Sequence, residues 1–210
     1  RNKSVYVGVP IDSTFQPVSL AEQRAYKEEL GVDVDKKLIV ATGGGLGALS
    51  INDAMAVVAA NLSDVVVYNI TGKKNIERAL QKGEGMANYL PVPFVFEGMH
   101  KVLGAADIVV SRASATFLQE LAGLKKTVIA VPARQLGDQQ KNAHVFKAAG
   151  AIKVLSDADL EVPATLTSTI QQLLEDTKEG RELAAALHKF ARPQAAADTA
   201  ELILSAAKGK

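Results

Sequence analysis

Short runs of aliphatic and β-branched residues alternate along the chain with longer segments of helical periodicity. Several runs are unbroken Val, Ile and Leu, which is typical of strands that are covered on both faces. This alternation of strand and helix predicts an α/β fold, in which a parallel sheet carries helices on both faces. The predicted strands are Val5–Val7, Leu38–Ala41, Val65–Asn69, Phe94–Phe96, Ile108–Val110 and Val128–Val131.

The helical segments lie between and after these strands. The first begins with Ser19 and Glu22, which have the spacing of a capping box, and it stops at Gly31. With no repeat, low-complexity tract or clear linker, the chain is predicted to form a single Rossmann-like domain over residues 1–210. The predicted helices are Ser19–Leu30, Leu46–Asn61, Asn75–Lys82, Ala115–Ala122, Gln139–Ala148, Ala164–Glu175, Arg181–Lys189 and Gln194–Ala207.

Composition narrows the classes of function. The chain is 48% hydrophobic and 22% charged, as a globular domain with a real core should be. A formal net charge of only +1 and the absence of tryptophan argue against a nucleic-acid partner. There is no cysteine, and the three histidines lack the spacing of a ligand set, so we expect no metal site. No apolar run reaches the ~18 residues of a membrane span.

A glycine-rich loop follows the second predicted strand. Ligands of open parallel sheets bind at the carboxyl ends of strands. Gly44, Gly45 and Gly47 would let the backbone approach a ligand closely, and the next helix would offer free N–H groups to a phosphate. A tight turn without a ligand is the alternative interpretation. An NAD-binding protein would need an acidic residue about 20 positions further on, and the strand that ends at Asn69 has none there.

A second loop, Ser111–Thr116, follows the fifth predicted strand. Small and hydroxylated residues at a helix start can face a phosphate with N–H groups and hydroxyls. Glu120 lies about one and a half turns into the helix, where its carboxylate could accept hydrogen bonds from both hydroxyls of a ribose. Arg112 could contact a base or a phosphate. The alternative is a capped helix with a solvated Glu120, and Arg112 paired with a surface acid.

The third loop, Pro132–Asn142, follows the last predicted strand. Asp138, Gln139 and Asn142 would cluster at the first turn of the next helix. Carboxylates and amides of this kind bind the hydroxyls of sugars. The alternative is that Asp138 caps the helix and has only polar neighbours.

In this order, the three loops resemble the C-terminal half of MurG-type glycosyltransferases. That family has a glycine-rich loop, then an S-R-x-G-A-x-T-x-x-E segment, then a Q-x-x-N-A segment. The corresponding segments here are Gly43–Ala48, Ser111–Glu120 and Gln139–Ala143. The resemblance covers essentially the whole chain. It implies one half of a GT-B fold, which binds UDP-N-acetylglucosamine for an inverting transfer to a lipid-linked acceptor in peptidoglycan precursor synthesis.

The resemblance also implies a role for individual residues. The backbone around Phe96 would read the uracil, with Arg112 nearby, and Glu120 would hold the ribose hydroxyls. Gln139 and Asn142 would contact the donor sugar. The diphosphate would face the glycine-rich loop and the start of the later helix, namely Gly44, Gly45, Gly47, Ser114, Ala115 and Thr116.

This chain departs from the family pattern at several positions. Ser114 stands in place of a glycine, Phe117 in place of a hydroxyl residue, and Gly45-Leu46 in place of Ser-Gln. Asp12 stands where the family often has an arginine. These changes remove candidate contacts to the phosphates and the sugar, so they affect the identity of the donor more than the fold.

Partners and location also follow from the resemblance. No catalytic residue, cofactor or metal is assigned to this chain; the UDP-sugar would be a substrate. An N-terminal acceptor domain or a partner subunit would supply the base and carry the lipid-linked acceptor, on a cytoplasmic enzyme peripheral to the inner face of the membrane. The alternatives are a separate donor-binding subunit of a two-part glycosyltransferase, an NAD-dependent oxidoreductase, or a sugar-nucleotide epimerase.

Overall fold

The computed structural model describes residues 4–44 and 47–208 of the chain. Within them, six strands form one sheet in the order β3-β2-β1-β4-β5-β6, and each neighbouring pair is parallel. The predicted α/β fold with a parallel sheet is therefore confirmed. The strands are β1 (Lys37–Thr42), β2 (Val65–Ile70), β3 (Tyr89–Val92), β4 (Ile108–Ser111), β5 (Thr127–Ala130) and β6 (Lys153–Val154).

Ten helices lie within the described residues and connect or follow the strands. None of the helices there is both long and apolar enough to cross a membrane. The helices are α1 (Leu20–Glu29), α2 (Leu49–Asn61), α3 (Ile76–Lys82), α4 (Met99–Ala105), α5 (Ala115–Gly123), α6 (Gly137–Ala148), α7 (Asp157–Leu160), α8 (Pro163–Glu175), α9 (Thr177–His188) and α10 (Ala195–Lys208).

Both faces of the sheet are covered, and β1 shows why its sequence is apolar without interruption. Successive side chains of a strand point to opposite faces. Leu38 and Val40 pack on one face with residues of α4, α5 and α9, whereas Ile39 and Ala41 pack on the other with residues of α2 and α8. All four residues are fully buried. The core is thus two apolar layers separated by the sheet, as the unbroken Val/Ile/Leu runs predict.

The order of the strands places a crevice at the centre of the sheet. After β1 the chain proceeds to β2 and β3 on one side, and then returns to add β4, β5 and β6 on the other. The connections therefore diverge between the carboxyl ends of β1 and β4. Ligands of open α/β sheets bind in the crevice at such a switch point.

Two predicted strands are wrong. Val5–Val7 is not a strand, and Tyr6 within it is 78% exposed. Phe94–Phe96 lies in a loop, whereas the actual edge strand, β3, is Tyr89–Val92. Pro91 lies within β3, and proline is accommodated there because an edge strand lacks a hydrogen-bonding partner on one side.

Three short elements do not follow from the sequence pattern. They are the two-residue strand β6, the four-residue helix α7, and helix α4, which begins after Gly98 in a left-handed conformation with φ of 75°. The capping box of α1 is confirmed: Ser19 Oγ accepts a hydrogen bond from the Glu22 amide at 3.2 Å, and Glu22 Oε2 accepts one from the Ser19 amide at 2.7 Å.

Candidate functional site

A cavity of about 420 Å³ opens at the carboxyl ends of β1, β2 and β4, at the switch point of the sheet. Its wall is largely apolar, with a few polar side chains, which is the composition of small-molecule sites in general. Loops from all three segments singled out in the sequence reach it. The residues that line it are Phe15, Thr42, Gly43, Gly44, Ile70, Phe94, Met99, Arg112, Ser114, Phe117, Glu120 and Gln139.

The glycine-rich turn after β1 is held by backbone geometry that a side chain would disturb. Thr42 Oγ1 accepts a hydrogen bond from the Gly44 amide at 3.1 Å. Gly47 has φ of +76°, and a Cβ placed on it would lie 2.1 Å from the carbonyl oxygen of Thr71. Gly44, with φ of +81°, has open space around it. The predicted contact Gly45 lies outside the described residues.

Two helices begin beside the cavity. Helix α2 has no side-chain cap at Ala48 and no acidic residue in its first turn, so its first amides are not satisfied by a cap. In α5, Ser114 Oγ accepts a hydrogen bond from the Phe117 amide at 3.4 Å. Ala115 and Thr116 are exposed at the helix start. Both helix ends therefore present N–H groups at the same edge of the sheet.

Glu120 lines the cavity and is half-buried, so the interpretation of a fully solvated side chain does not hold. Burial raises the pKa of its carboxyl above the ordinary value of 4.5. Among residues 4–44 and 47–208, no group donates a hydrogen bond to this carboxylate, and no cluster of His, Asp and Glu could hold a metal ion. The carboxylate oxygens thus remain available as acceptors for a ligand.

Arg112 lines the cavity, but its guanidinium is engaged in an ion pair. Nη1 lies 3.0 Å from Asp157 Oδ1, and only 16% of the arginine side chain is exposed. Arg112 thus pairs with an acid, but at a largely buried position and not at the surface. The partner could not be foreseen, because Asp157 belongs to the short helix α7 that the sequence pattern did not reveal.

Each of the two side-chain amides proposed to contact the sugar makes a hydrogen bond to the protein backbone through one of its two polar atoms. Gln139 lines the cavity, and its Oε1 accepts a hydrogen bond from the Ala133 amide at 2.9 Å. Asn142 Nδ2 donates to the carbonyl of Ala113 at 3.1 Å. Asp138 does not cap the helix; it follows the N-cap residue Leu136 within the first turn of α6.

The aromatic loop after β3 contributes Phe94 rather than Phe96 to the cavity wall. Phe96 is 77% exposed, and its ring centre lies 4.9 Å from that of Phe94. Lys73 Nζ lies 5.1 Å from the centre of the Phe96 ring. The role predicted for Phe96 concerns its backbone, and it stays a prediction.

The motifs indicated only part of the apolar wall. Phe15 comes from a segment that no motif singled out, so no local pattern connects it to the site. Phe117 could have been found, because it precedes Glu120 by three residues and therefore shares its face of α5.

A family model described as glycosyltransferase family 28 C-terminal domain matches residues 38–200. Two curated relatives are named UDP-N-acetylglucosamine–N-acetylmuramyl-(pentapeptide) pyrophosphoryl-undecaprenol N-acetylglucosamine transferase. The one from Geobacillus kaustophilus (strain HTA426) is 35% identical over 83% of this chain and 48% of its own length. The one from Cutibacterium acnes (strain DSM 16379 / KPA171202) is 30% identical over 98% of this chain and 58% of its own length. The chain thus spans about half the length of these relatives.

Solved structures share the fold. MurG from Acinetobacter baumannii superimposes with a TM-score of 0.73 and 23% identity, over 98% of this chain and 58% of that one. The UDP-GlcNAc 2-epimerase from Neisseria meningitidis, solved with UDP-GlcNAc bound, gives a TM-score of 0.65 and 15% identity, over 87% and 48% of the two chains. At these identities the likeness concerns the fold alone.

Proposed function

This chain belongs to the glycosyltransferase family 28 C-terminal domains, and we propose that it binds the UDP-N-acetylglucosamine donor of a glycosyltransferase. The names of its curated relatives state transfer of N-acetylglucosamine from this donor. The observation that carries the proposal is the cavity at the switch point, which Glu120, the glycine-rich turn before α2 and the N-cap of α5 line together.

The proposed arrangement gives each part of the donor a distinct set of contacts. The ribose hydroxyls donate to the carboxylate of Glu120. The diphosphate accepts hydrogen bonds from the glycine-rich turn and from the amides at Ala115 and Thr116. Gln139 and Asn142 lie on the sugar side, and the loop around Phe94 and Phe96 lies on the side of the base.

The proposed chemistry requires neither a metal nor another cofactor. When the glycosidic bond to UDP breaks, negative charge accumulates on the leaving diphosphate. Amides fixed at the starts of two helices stabilise this charge without having to reorganise during the reaction. The chain's contribution to catalysis is thus electrostatic stabilisation of the leaving group.

The remaining parts of the reaction are assigned elsewhere in the proposal. The acceptor and the base that deprotonates it are assigned to an N-terminal domain or a partner subunit, because this chain spans only about half the length of its relatives. The acceptor is lipid-linked, as the names of the relatives state for those proteins. The assembled enzyme would accordingly work in the cytoplasm, at the inner face of the membrane.

An NAD-dependent oxidoreductase is the weaker candidate. Binding of the NAD ribose requires an acidic residue at the end of the second strand. Asn69 occupies that region, is fully buried, and donates to the Tyr89 hydroxyl at 2.7 Å, so it cannot reach a ligand. The only support for a sugar-nucleotide epimerase is the similarity of fold to the UDP-GlcNAc 2-epimerase.

Calorimetric titration with UDP, UDP-N-acetylglucosamine and NAD tests the proposal. We expect both uridine ligands to bind and NAD not to bind. Glu120→Ala should weaken binding of UDP by about 1–3 kcal/mol, and Glu120→Gln by less, because one acceptor oxygen survives. Glu77→Ala, at an exposed position of α3 outside the cavity, is the matched control and should bind UDP like the parent. Binding of NAD without a response to UDP would overturn the proposal.

A further inference from the structure

Arg112, Asp157 and Ser50 form a closed network beside the cavity. Arg112 Nη1 donates to Asp157 Oδ1 at 3.0 Å, and Nη2 donates to Ser50 Oγ at 3.2 Å. Ser50 Oγ in turn donates to Asp157 Oδ1 at 2.6 Å. Each of the three side chains contacts the other two, so the position of each is fixed by the others. We call this group the Arg112 network.

The network joins four elements that are far apart in the sequence. Arg112 directly follows β4, and Ser50 lies in the first turn of α2. Asp157 is the first residue of α7. Nη1 of Arg112 also donates to the carbonyl of Val131, just after β5, at 2.9 Å. The guanidinium therefore fixes the start of α2 relative to the ends of two strands.

The environment makes this connection strong. The side chains of Arg112 and Asp157 are only 16% and 30% exposed. Removal of one partner from such a pair leaves a poorly hydrated charge without compensation, so the geometry is costly to change. Three of the five guanidinium N–H groups are used in these contacts, within the part of the chain that the structure describes.

The location of the network links it to the diphosphate rather than to the base. Helix α2 begins after the glycine-rich turn, and α5 begins three residues after Arg112. These are the two helix starts that the proposed function assigns to the diphosphate. A donor held by two sets of amides binds well only when both sets are correctly spaced, because a fixed geometry avoids the cost of ordering them upon binding.

We propose that the Arg112 network is a positioning device, which holds the starts of α2 and α5 at the spacing that a diphosphate requires. Arg112, Asp157 and Ser50 act here as positioning residues. The inference rests on the proposed function and deepens it. It predicts that the network contributes to the affinity gained from the second phosphate, and not to the affinity for the nucleoside or the first phosphate.

The test compares UDP with UMP by calorimetry on the 210-residue chain. Ser50→Ala and Asp157→Asn should each weaken binding of UDP about fivefold to tenfold, the size of one hydrogen bond in a charged network. Binding of UMP should change less than about twofold, so that the preference for UDP over UMP falls. A general loss of structure would instead weaken both ligands together. Ser50→Thr keeps the hydroxyl and should restore the preference.

Asp53→Asn is the matched control. Asp53 also lies on α2 and pairs with Arg78 of α3, with Arg78 Nη2 at 2.6 Å from Asp53 Oδ2, but it does not line the cavity. This variant should retain the parent's preference for UDP. If the parent binds UDP and the network variants keep the same preference, the inference is wrong while the proposed function stands. If the parent does not bind UDP, both fail.

Discussion

At the scale of single residues, Glu120 shows a conflict between stability and binding. An acid half-buried without a partner is costly to ionise, and this is why the pKa of its carboxyl is raised above 4.5. Ionised, the same group is the acceptor that a ribose would need. The ionised carboxylate therefore lowers the stability of the unliganded protein, as is common for functional residues.

Glu120→Gln should stabilise the protein in the absence of ligand. Between 4.5 and the raised pKa of Glu120, the folded state binds more protons than the unfolded state, so stability from this group falls as the pH rises through that window. Gln cannot ionise, so at pH 7 the variant should melt at a higher temperature than the parent. Thermal denaturation at several pH values checks this. The difference should shrink as the pH approaches 4.5; a difference independent of pH would contradict the explanation.

Gln139 has one end available to a sugar. Oε1 is held by the Ala133 amide, whereas Nε2 makes no hydrogen bond within residues 4–44 and 47–208, so Nε2 is the end that can donate to a sugar oxygen. Gln139→Ala should therefore weaken binding of UDP-N-acetylglucosamine about tenfold and leave binding of UDP within about twofold. Gln140→Ala is the control, because Gln140 Nε2 contacts the carbonyls of Pro132 and Ala133 in the same loop but does not line the cavity. Equal losses for both ligands in Gln139→Ala would assign this residue a purely structural role.

At the scale of elements, the turn before α2 depends on the absence of a side chain at Gly47. Gly47→Ala would combine a left-handed backbone with a contact of 2.1 Å to the Thr71 carbonyl, so it should lower the free energy of unfolding by more than about 2 kcal/mol. Gly31→Ala shares the left-handed backbone, with φ of +69°, but has open space around it. It should cost only about 1 kcal/mol. Urea denaturation separates the two, and equal costs would show that the Thr71 contact does not matter.

The central strands were predictable because burial on both faces leaves a strong pattern. β1, β4 and β5 contain unbroken apolar runs and β2 begins with three valines, and each strand was predicted within one residue of its bounds. The edge strand β3 was not predicted. Pro91 weakens its strand pattern, and the aromatic residues Phe94 and Phe96 give the following loop a strand-like pattern.

Residues of the candidate site were predictable where they belong to a sequence motif. Residues that reach the cavity only through tertiary packing were not. Glu120 and Gln139 line the cavity as expected, since each lies in a segment that follows a central strand. Phe15 and Met99 line it too, although neither lies in those segments. Asp157 orients Arg112 from a helix of only four residues, which is too short to produce a periodic pattern.

At the scale of the whole molecule, the chain spans about half the length of its curated relatives, and the proposed function assigns it donor binding without transfer. We expect the isolated chain to bind the donor and not to transfer the sugar, because positioning of the acceptor alone can be worth ~7–11 kcal/mol of the barrier. A radiolabelled donor and a lipid-diphosphate acceptor test this, with and without the N-terminal domain or partner. Robust transfer by the chain alone would contradict the assignment of the base to another region.

The central position of β1 has a consequence for how the chain folds. Residues paired between β1 and β2, such as Ile39 and Val67, are close in sequence. Residues paired between β1 and β4, such as Ile39 and Ile108, are far apart in sequence because β2 and β3 lie between them. Long-range closures of this kind slow folding, because chain entropy is lost before the contacts form. Gly44 follows β1 and Glu120 follows β4, and both line the cavity, so the cavity exists only after β1 and β4 have paired. A ligand that fills the cavity binds the native state alone, so the free energy of unfolding rises with the concentration of the ligand.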